Sequence, residues 1–183
     1  MHRDLVERAM AGDHEAFGEL ARLSIGRLYA AAHLILRDQG QAEDATQEAL
    51  VAAWRDLSAL RDPDRFDAWL RTLLVRACYR EARRGRRGRI EATIPSIQPS
   101  VPDRSAAVAD RDEIERGFRH LDPDLRAVVV MHYYLGLPLV EVASTLGIPE
   151  GTAKSRLHRA MQAMRATLDA DARLARMAEG GLA

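Results

Sequence analysis

Apolar residues recur every three to four positions along most of the chain, which is the spacing of an amphipathic α-helix. In the N-terminal half this pattern predicts three helices, at about residues 13–37, 41–57 and 64–84. Their apolar positions are Phe17, Leu20, Leu23, Leu28, Ala31 and Ile35, then Ala42, Ala45, Ala49, Ala53 and Leu57, then Phe66, Leu70, Leu73 and Ala77. No stretch alternates as a strand between hairpin turns, so an all-α fold is predicted.

Periodicity is lost in the middle of the chain, between Gly85 and Ala106. Three of the seven prolines fall in this window, together with two glycines and three serines, and such a composition is typical of a linker. Helical spacing then returns at about residues 107–120 and 122–135. We therefore predict two small helical domains, residues 1–87 and 107–183, joined by a flexible linker at 88–106.

The second domain has the spacing of a helix-turn-helix. A short amphipathic helix is predicted at 139–146, followed by a tight turn that starts at Gly147 and by a second helix that starts at Glu150 and ends near residue 168. The outer face of the second helix carries groups that can donate to phosphates or base edges, namely Thr152, Lys154, Ser155, His158 and Arg159. DNA binding is favoured over the alternative, an ordinary helical hairpin with a solvated basic face.

Charge is segregated along the chain although 27 basic and 27 acidic residues balance overall. Eight arginines and one acid lie between Arg71 and Arg89, whereas eight acids and three arginines lie between Asp38 and Asp67. This segregation indicates at least two partners of different charge. On the third helix, Trp69 shares an arc of about 60° with four arginines, which suits single-stranded nucleic acid. The alternative is a core tryptophan beside a solvated helix end.

Several function classes find no support in the sequence. The single cysteine, Cys78, excludes an intramolecular disulfide and a cysteine-based zinc site. The chain has no H-E-x-x-H pair, no phosphate-binding Gly-Lys-Ser/Thr motif and no nucleophile beside a histidine, so we expect no catalysis, cofactor or metal. The charged N-terminal segment lacks the apolar stretch of a secretory signal, and no apolar run could span a membrane, so we expect a cytoplasmic protein.

Residues 121–126, 136–143 and above all 151–160 (GTAKSRLHRA) resemble region four of bacterial sigma factors, and are most similar to the extracytoplasmic-function (ECF) group. The resemblance implies that the second helix of the helix-turn-helix enters the major groove of the −35 promoter element and that this domain contacts the β flap of RNA polymerase. It assigns the −35 contacts to Thr152, Lys154, Ser155, Arg156, His158 and Arg159.

Residues 42–54 (AEDATQEALVAAW) resemble region two of the same family. Taken alone, their acidic and amide-bearing face would be interpreted as solvated surface. The resemblance instead implies docking on the clamp coiled coil of the polymerase β′ subunit through Asp44, Gln47, Glu48, Leu50 and Trp54.

The same resemblance assigns the melted −10 element to the third helix and to the preceding loop, residues 58–66, which would hold a flipped base. The implied contacts are Phe66, Trp69, Arg76, Arg80, Arg83, Arg84 and Arg87. Relatives commonly carry Asn and Asp where this chain has Arg76 and Arg80, and the added positive charge should strengthen general affinity for DNA.

The function that the resemblance implies is that of an alternative sigma factor, which binds core polymerase and both double- and single-stranded promoter DNA. We expect a monomer when free and, on family grounds, an anti-sigma partner. One alternative is a helix-turn-helix regulator with an N-terminal sensing or dimerisation domain, which would bind a palindrome as a dimer. The other is a nucleic-acid-processing enzyme. The acidic stretches give a motive for the two domains to close on each other and mask the arginines.

Overall fold

Four helices form the N-terminal half. The computed structural model describes residues 3–91, 116–118 and 120–180 of the chain. The helices are α1 (Arg3–Met10), α2 (His14–Leu36), α3 (Gln39–Asp56) and α4 (Phe66–Glu91), with single 3-10 turns at Leu57–Ala59 and Pro63–Arg65. The last three correspond to the three predicted helices. The periodicity did not reveal α1, whose eight residues bury only Val6 and Ala9.

Aspartates define the helix starts in this half. The Asp13 carboxylate accepts hydrogen bonds from the backbone N–H groups of Glu15 and Ala16, both at 3.0 Å, and caps α2. Asp38 accepts from Gln41 N–H at 2.9 Å and caps α3. Because Arg37 ends α2 in the left-handed conformation (φ 57°) and Asp38 starts the next helix at once, Gln39 and Gly40 are helical, although the predicted helices ended at residue 37 and resumed only at residue 41.

A column of alanines sets the packing of α3. Ala42, Ala45, Ala49 and Ala53 are completely buried, and α3 contacts both α2 and α4. Side chains this small allow three helix backbones to approach closely, while larger residues of α2 and α4 fill the space beside them. The apolar spacing therefore identified the inner face of α3 correctly.

On α2, one of the predicted core positions is wrong. Leu23 is 52% exposed, and it lies about 100° around the helix from the other apolar positions predicted for α2.

The C-terminal half is also helical and contains the predicted helix-turn-helix. Helix α5 (Pro123–Val129) continues into a π-helical turn (Val130–Tyr134), and α6 (Leu139–Leu146) and α7 (Glu150–Gly180) follow. Gly147 ends α6 with φ 64°, and the N–H of Ile148 bonds to the carbonyl of Ala143 at 3.0 Å. A left-handed residue with these bonds is the usual glycine C-cap, and it turns the chain sharply into α7.

Two helices extend beyond their predicted ends. Helix α4 continues through Gly85 and Gly88 to Glu91, although the composition predicted that order would be lost from Gly85. Helix α7 continues well past residue 168 to Gly180. The remainder of the predicted linker and most of the predicted helix at 107–120 lie outside the described residues, but residues 116–118 are helical.

The two halves pack against each other. Helix α2 contacts α5 and the π-helical turn, and α4 contacts α5 and α6, so that buried residues of both halves form one continuous core. The Arg71 guanidinium on α4 donates a hydrogen bond to the backbone carbonyl of Leu135 at 3.2 Å. The halves are thus closed through apolar packing, whereas the sequence suggested closure by acidic stretches that would mask the arginines, and Arg76, Arg80 and Arg83 remain exposed.

Candidate nucleic-acid and protein interfaces

The first turns of α7 present a polar face to solvent. Lys154, Ser155, His158 and Arg159 are exposed, and Thr152 is half-buried. On the opposite face Ala153 and Ala160 are completely buried, and Leu157 packs against the core. Because the buried face fixes the rotation of α7 about its axis, these exposed donors can enter a groove of duplex DNA together.

Arg156 points in a different direction from its neighbours on α7. Its guanidinium lies 3.2 Å from the Asp124 carboxylate, and its side chain is only 21% exposed. It lines a cavity of about 580 Å³ between α4 and the helix-turn-helix. The predicted −35 residues are therefore separated into an exposed group and one arginine that faces the N-terminal half.

The arginines of α4 form an exposed row. Arg76, Arg80, Arg83 and Arg84 are exposed, whereas the side chain of Arg87 lies outside the described part of the structure. Arg80 is paired with Glu48 of α3 at 2.9 Å, and Arg84 is paired with Glu81 on its own helix. Arg76, Arg80 and Arg83 line the same cavity as Arg156.

The two aromatic residues at the start of α4 have different surroundings. Phe66 is only 5% exposed and belongs to the core, so its ring is not free to stack on a base. Trp69 is half-buried, and its ring lies 6.2 Å from that of Phe66 between centroids. Phe66 therefore supports the Trp69 ring, of which only one part can meet a ligand.

An open groove of about 780 Å³ lies between α2 and α3. Three of the five predicted polymerase contacts line it, namely Gln47, Leu50 and Trp54. The Trp54 ring packs against Phe17 and His14, with centroid distances of 5.0 and 4.7 Å.

The α2 side of this groove was not predicted from the sequence. It is formed by Phe17, Ile25, Gly26 and Tyr29, of which Ile25 is 49% exposed. A β-carbon on Gly26 would meet nothing within 4 Å, so the glycine widens the groove. The available signal was the apolar Ile25 at a position outside the periodic stripe of α2.

The other two predicted polymerase contacts lie elsewhere on α3. Asp44 is exposed beside the groove, and neither it nor Glu48 is among the residues that line it. Glu48 is turned towards α4, where one carboxylate oxygen bonds to Arg80 and the other is buried without a hydrogen bond. The predicted set thus spans both the groove and the contact between α3 and α4.

Other candidate chemistry is not brought together. Within residues 3–91, 116–118 and 120–180, no group of three histidine, cysteine or acidic side chains could hold a metal ion. In the same part of the chain no helix is both long and apolar enough to cross a membrane. Cys78 is completely buried in α4, and this burial raises the pKa of its thiol to about 12, so the side chain is a poor nucleophile.

Comparison with known proteins identifies both halves. Residues 20–88 match the family model described as "Sigma-70 region 2", and residues 111–164 match "Sigma-70, region 4". The chain is similar to the ECF RNA polymerase sigma factor SigM of Mycobacterium tuberculosis, with 33% identity over 157 residues that cover 86% of this chain and 79% of SigM. It is 40% identical to SigL of the same organism over 135 residues, 72% of this chain and 76% of SigL.

Solved structures agree with this relationship. The fold is similar to the sigma factor RpoE of Bartonella quintana, co-crystallised with the anti-sigma factor NepR, with a TM-score of 0.66, 26% identity and coverage of 85% of this chain and 98% of that chain. It is similar to CnrH in complex with the cytosolic domain of CnrY, with a TM-score of 0.65, 28% identity and coverage of 92% and 97%.

The N-terminal half is therefore sigma region 2, and the alternative of a general helix-turn-helix regulator with a sensing or dimerisation domain is wrong. The chain belongs to the ECF group of the sigma-70 family and is an alternative sigma factor, which directs promoter-specific transcription by RNA polymerase.

Proposed function

We propose that three surfaces of the chain divide the work of promoter recognition. The α2–α3 groove binds the clamp coiled coil of the polymerase β′ subunit. The arginine row of α4, with Trp69, holds the melted −10 strand. The exposed face of α7 reads the −35 element, and the C-terminal half contacts the β flap. The sigma factor acts as a monomer in the cytoplasm and catalyses no reaction itself.

The α2–α3 groove is the single observation that carries the proposal. An open groove lined by Trp54, Leu50 and exposed Ile25 suits an amphipathic helix laid lengthwise between α2 and α3. Tryptophan is one of the residue types enriched among those that contribute most of the binding energy of protein interfaces. Gln47 and the nearby Asp44 add polar contacts at the rim, which would fix the register of the bound helix.

Charge supports the assignment of α4 to the melted strand. The arginine row is exposed along one side of the helix, and Trp69 lies at its N-terminal end. Guanidinium groups attract the phosphates, while an aromatic face accepts a stacked base. We assign Phe66 a supporting role under Trp69 rather than a contact of its own, because it is buried.

The −35 assignment rests on the exposed donors of α7. Lys154 and Arg159 provide the charge, and Ser155 and His158 can donate hydrogen bonds to phosphates or bases. Arg156 can join them only if the Asp124 pair opens, so we place it second to Lys154 and Arg159 in the closed structure.

An anti-sigma factor is the other proposed partner. RpoE and CnrH, the similar solved structures, are each bound to a regulatory protein of this kind or to its cytosolic domain. An inhibitor that occupied the α2–α3 groove would compete directly with polymerase.

In vitro transcription with purified core polymerase, this protein and a library of genomic promoter fragments tests the function. We expect discrete transcripts that require the protein and no other sigma factor. A Trp54→Ala variant should lose both transcripts and co-elution with core polymerase on a sizing column. Absence of transcripts together with absence of co-elution for the wild type would contradict the proposal.

A further inference from the structure

We propose that helix α1 belongs to the −10 site, because Arg3 holds the turn Pro63–Arg65 within the loop that receives the melted strand. Arg3 is a positioning residue, which acts through Asp64 and does not itself contact DNA. This inference rests on the proposed role of the loop at 58–66 and of Trp69 in holding that strand. Helix α1 precedes residues 20–88, the part of the chain that matches the model of region 2.

Helix α1 packs against both ends of this loop. Its buried residues are Val6 and Ala9, and it contacts α2 together with both 3-10 turns, at Leu57–Ala59 and Pro63–Arg65. Arg3, the first residue of α1, lines a small cavity together with residues of the second turn. The position of α1 is therefore suited to controlling the shape of the loop.

The apolar core holds the two ends of the loop but not its middle. Leu57, Leu60 and Phe66 are buried, whereas residues 61, 62, 64 and 65 are exposed. Burial of apolar surface cannot fix residues that remain in water. The conformation of the middle of the loop therefore depends on polar contacts.

Two of these polar contacts lie within the turn itself. The Asp62 carboxylate accepts a hydrogen bond from the Asp64 N–H at 3.0 Å, and the Asp62 carbonyl accepts one from the Arg65 N–H at 3.0 Å. Both bonds are local and close the turn without tying it to the rest of the protein. Arg3 makes that tie, since its Nη1 donates to Oδ2 of Asp64 at 2.6 Å across 61 positions of the chain.

The guanidinium of Arg3 is oriented by its own helix. Its Nε donates to Oε1 of Glu7 at 2.8 Å, one turn further along α1. Because a guanidinium is planar and rigid, a bond at Nε also restricts the direction in which Nη1 can donate. Glu7 and Asp64 thus hold the two ends of one rigid group, and the turn is fixed relative to α1.

The turn leads directly into the aromatic pair at the start of α4. Phe66 follows Arg65 in the chain, and its ring supports that of Trp69 at 6.2 Å between centroids. The place offered to a flipped base lies between this loop and Trp69 in the proposed function. A turn that is free to move would present that place in several shapes, of which only some accept the base.

The size of the effect is limited by the exposure of the ion pair. The side chains of Arg3 and Asp64 are 55% and 40% exposed. An exposed pair of this kind changes an equilibrium by at most about fivefold. We therefore expect Arg3 to adjust recognition of the strand rather than to decide whether the strand binds.

Affinities of the holoenzyme for two fluorescent single strands test the role of Arg3. One is the non-template −10 strand of a promoter identified by in vitro transcription, and the other is a mixed-sequence strand of equal length. The ratio of the two affinities is the measurement, because a general change in charge affects both strands alike. Arg3→Met and Asp64→Asn change the net charge in opposite directions, yet each should lower this ratio by about threefold to fivefold.

Arg8→Met is the matched control. Arg8 also lies on α1, is similarly exposed and is paired with an acid, Asp13, at 2.6 Å, but it makes no contact with the loop. Its ratio should equal that of the wild type. An equal fall in the ratio for Arg8→Met would overturn the proposal, because the effect would then belong to α1 as a whole.

The double variant distinguishes positioning from direct contact with DNA. If Arg3 acts through Asp64, Arg3→Met combined with Asp64→Asn should lower the ratio no further than either change alone. Losses that add would mean that the two residues act separately and would overturn the proposal. A lower free energy of unfolding in urea with an unchanged ratio would show a merely structural role and would overturn it as well.

Failure of this inference can be told apart from failure of the proposed function. A wild-type holoenzyme that binds both strands equally would overturn the proposed role of the loop, and the role of Arg3 with it. A wild-type preference that persists in Arg3→Met and in Asp64→Asn would overturn the role of Arg3 alone. Each variant is also checked for co-elution with core polymerase, so that a loss of holoenzyme is not taken for a loss of strand binding.

Discussion

The Arg80 guanidinium lies 2.9 Å from the Glu48 carboxylate and joins α4 to α3. The first residue was predicted to bind the −10 strand and the second to bind polymerase, and the structure pairs them. Both side chains are partly exposed, at 46% and 34%, so the pair adds at most about 1 kcal/mol to stability. Its importance lies in the competition between Glu48 and a phosphate for Arg80.

Arg80→Gln should weaken the binding of a melted promoter strand with little effect on folding. One lost phosphate contact reduces the slope of log affinity against log salt by about 0.7 for a single strand. Fluorescence anisotropy of the holoenzyme across a salt series measures that slope. Arg55→Gln is the matched control, since Arg55 is also paired with an acid, Asp56, but lies on α3. An unchanged slope for Arg80→Gln would remove Arg80 from the strand-binding surface.

Lys154→Ala and Arg159→Ala should each weaken recognition of the upstream element by about 1–3 kcal/mol if they contact bases. Both side chains are exposed on the outer face of α7, and neither lines the α2–α3 groove. Affinity for core polymerase should therefore not change. Gel shifts with upstream-element duplexes, paired with core-binding titrations, measure the two effects. Gln162→Ala, another exposed position on α7, is the control. Equal losses in both titrations would show that the division of labour is wrong.

Substitutions in and beside the α2–α3 groove should have the opposite effect. Asp44→Asn combined with Gln47→Ala removes one charge and one amide beside the groove and should lower core affinity, and Trp54→Ala should lower it further, by about 2 kcal/mol or more. Binding of the upstream duplex by the free protein should be unchanged. Surface plasmon resonance on immobilised core polymerase measures these affinities, and an unaltered value for the double variant would refute the assignment to β′.

The sequence predicts the helices well because each carries its own periodicity. The buried alanines of α3 and the glycine turn between α6 and α7 are both local patterns, and the structure has both. Periodicity does not say which other helix covers a face, however. For this reason the sequence assigned Phe66 to the DNA contacts, although the structure buries it. For the same reason it did not identify Ile25 and Tyr29 as residues that line the groove.

The same limit applies to contacts between helices that lie far apart in the sequence. The orientation of Arg156 depends on Asp124, 32 positions earlier, and on the approach of α4, and no local pattern contains either fact. The extension of α4 through Gly85 and Gly88 was missed because glycine opposes helix only weakly, by about 1 kcal/mol each, and a long preceding helix can continue through it. Composition was therefore a poor guide to the end of α4.

Cys78 predicts a pH dependence of stability with a defined sign. Burial raises the pKa of its thiol in the folded protein from 9.0 to about 12. The folded state therefore retains the proton longer than the unfolded state, and the associated stability, present below pH 9, is lost as the pH rises towards 12. Between about pH 8 and pH 10, the free energy of unfolding measured with urea should fall less for Cys78→Ala than for the wild type. If it fell equally with pH in both proteins, the thiol would be solvated in the folded state.

Gly147→Ala tests the turn that aims α7. The position has φ 64°, a conformation that disfavours any β-carbon, although nothing lies within 4 Å of the place a β-carbon would take. We expect a loss of about 1 kcal/mol in the free energy of unfolding, from backbone strain alone. Gly18→Ala is the control with the opposite sign, because Gly18 lies within α2 and also has free space, and alanine there should stabilise by about 0.5–1 kcal/mol. Urea denaturation of both variants measures the pair, and a Gly147→Ala protein as stable as the wild type would show that the turn relaxes to another conformation, which would alter the angle between α6 and α7.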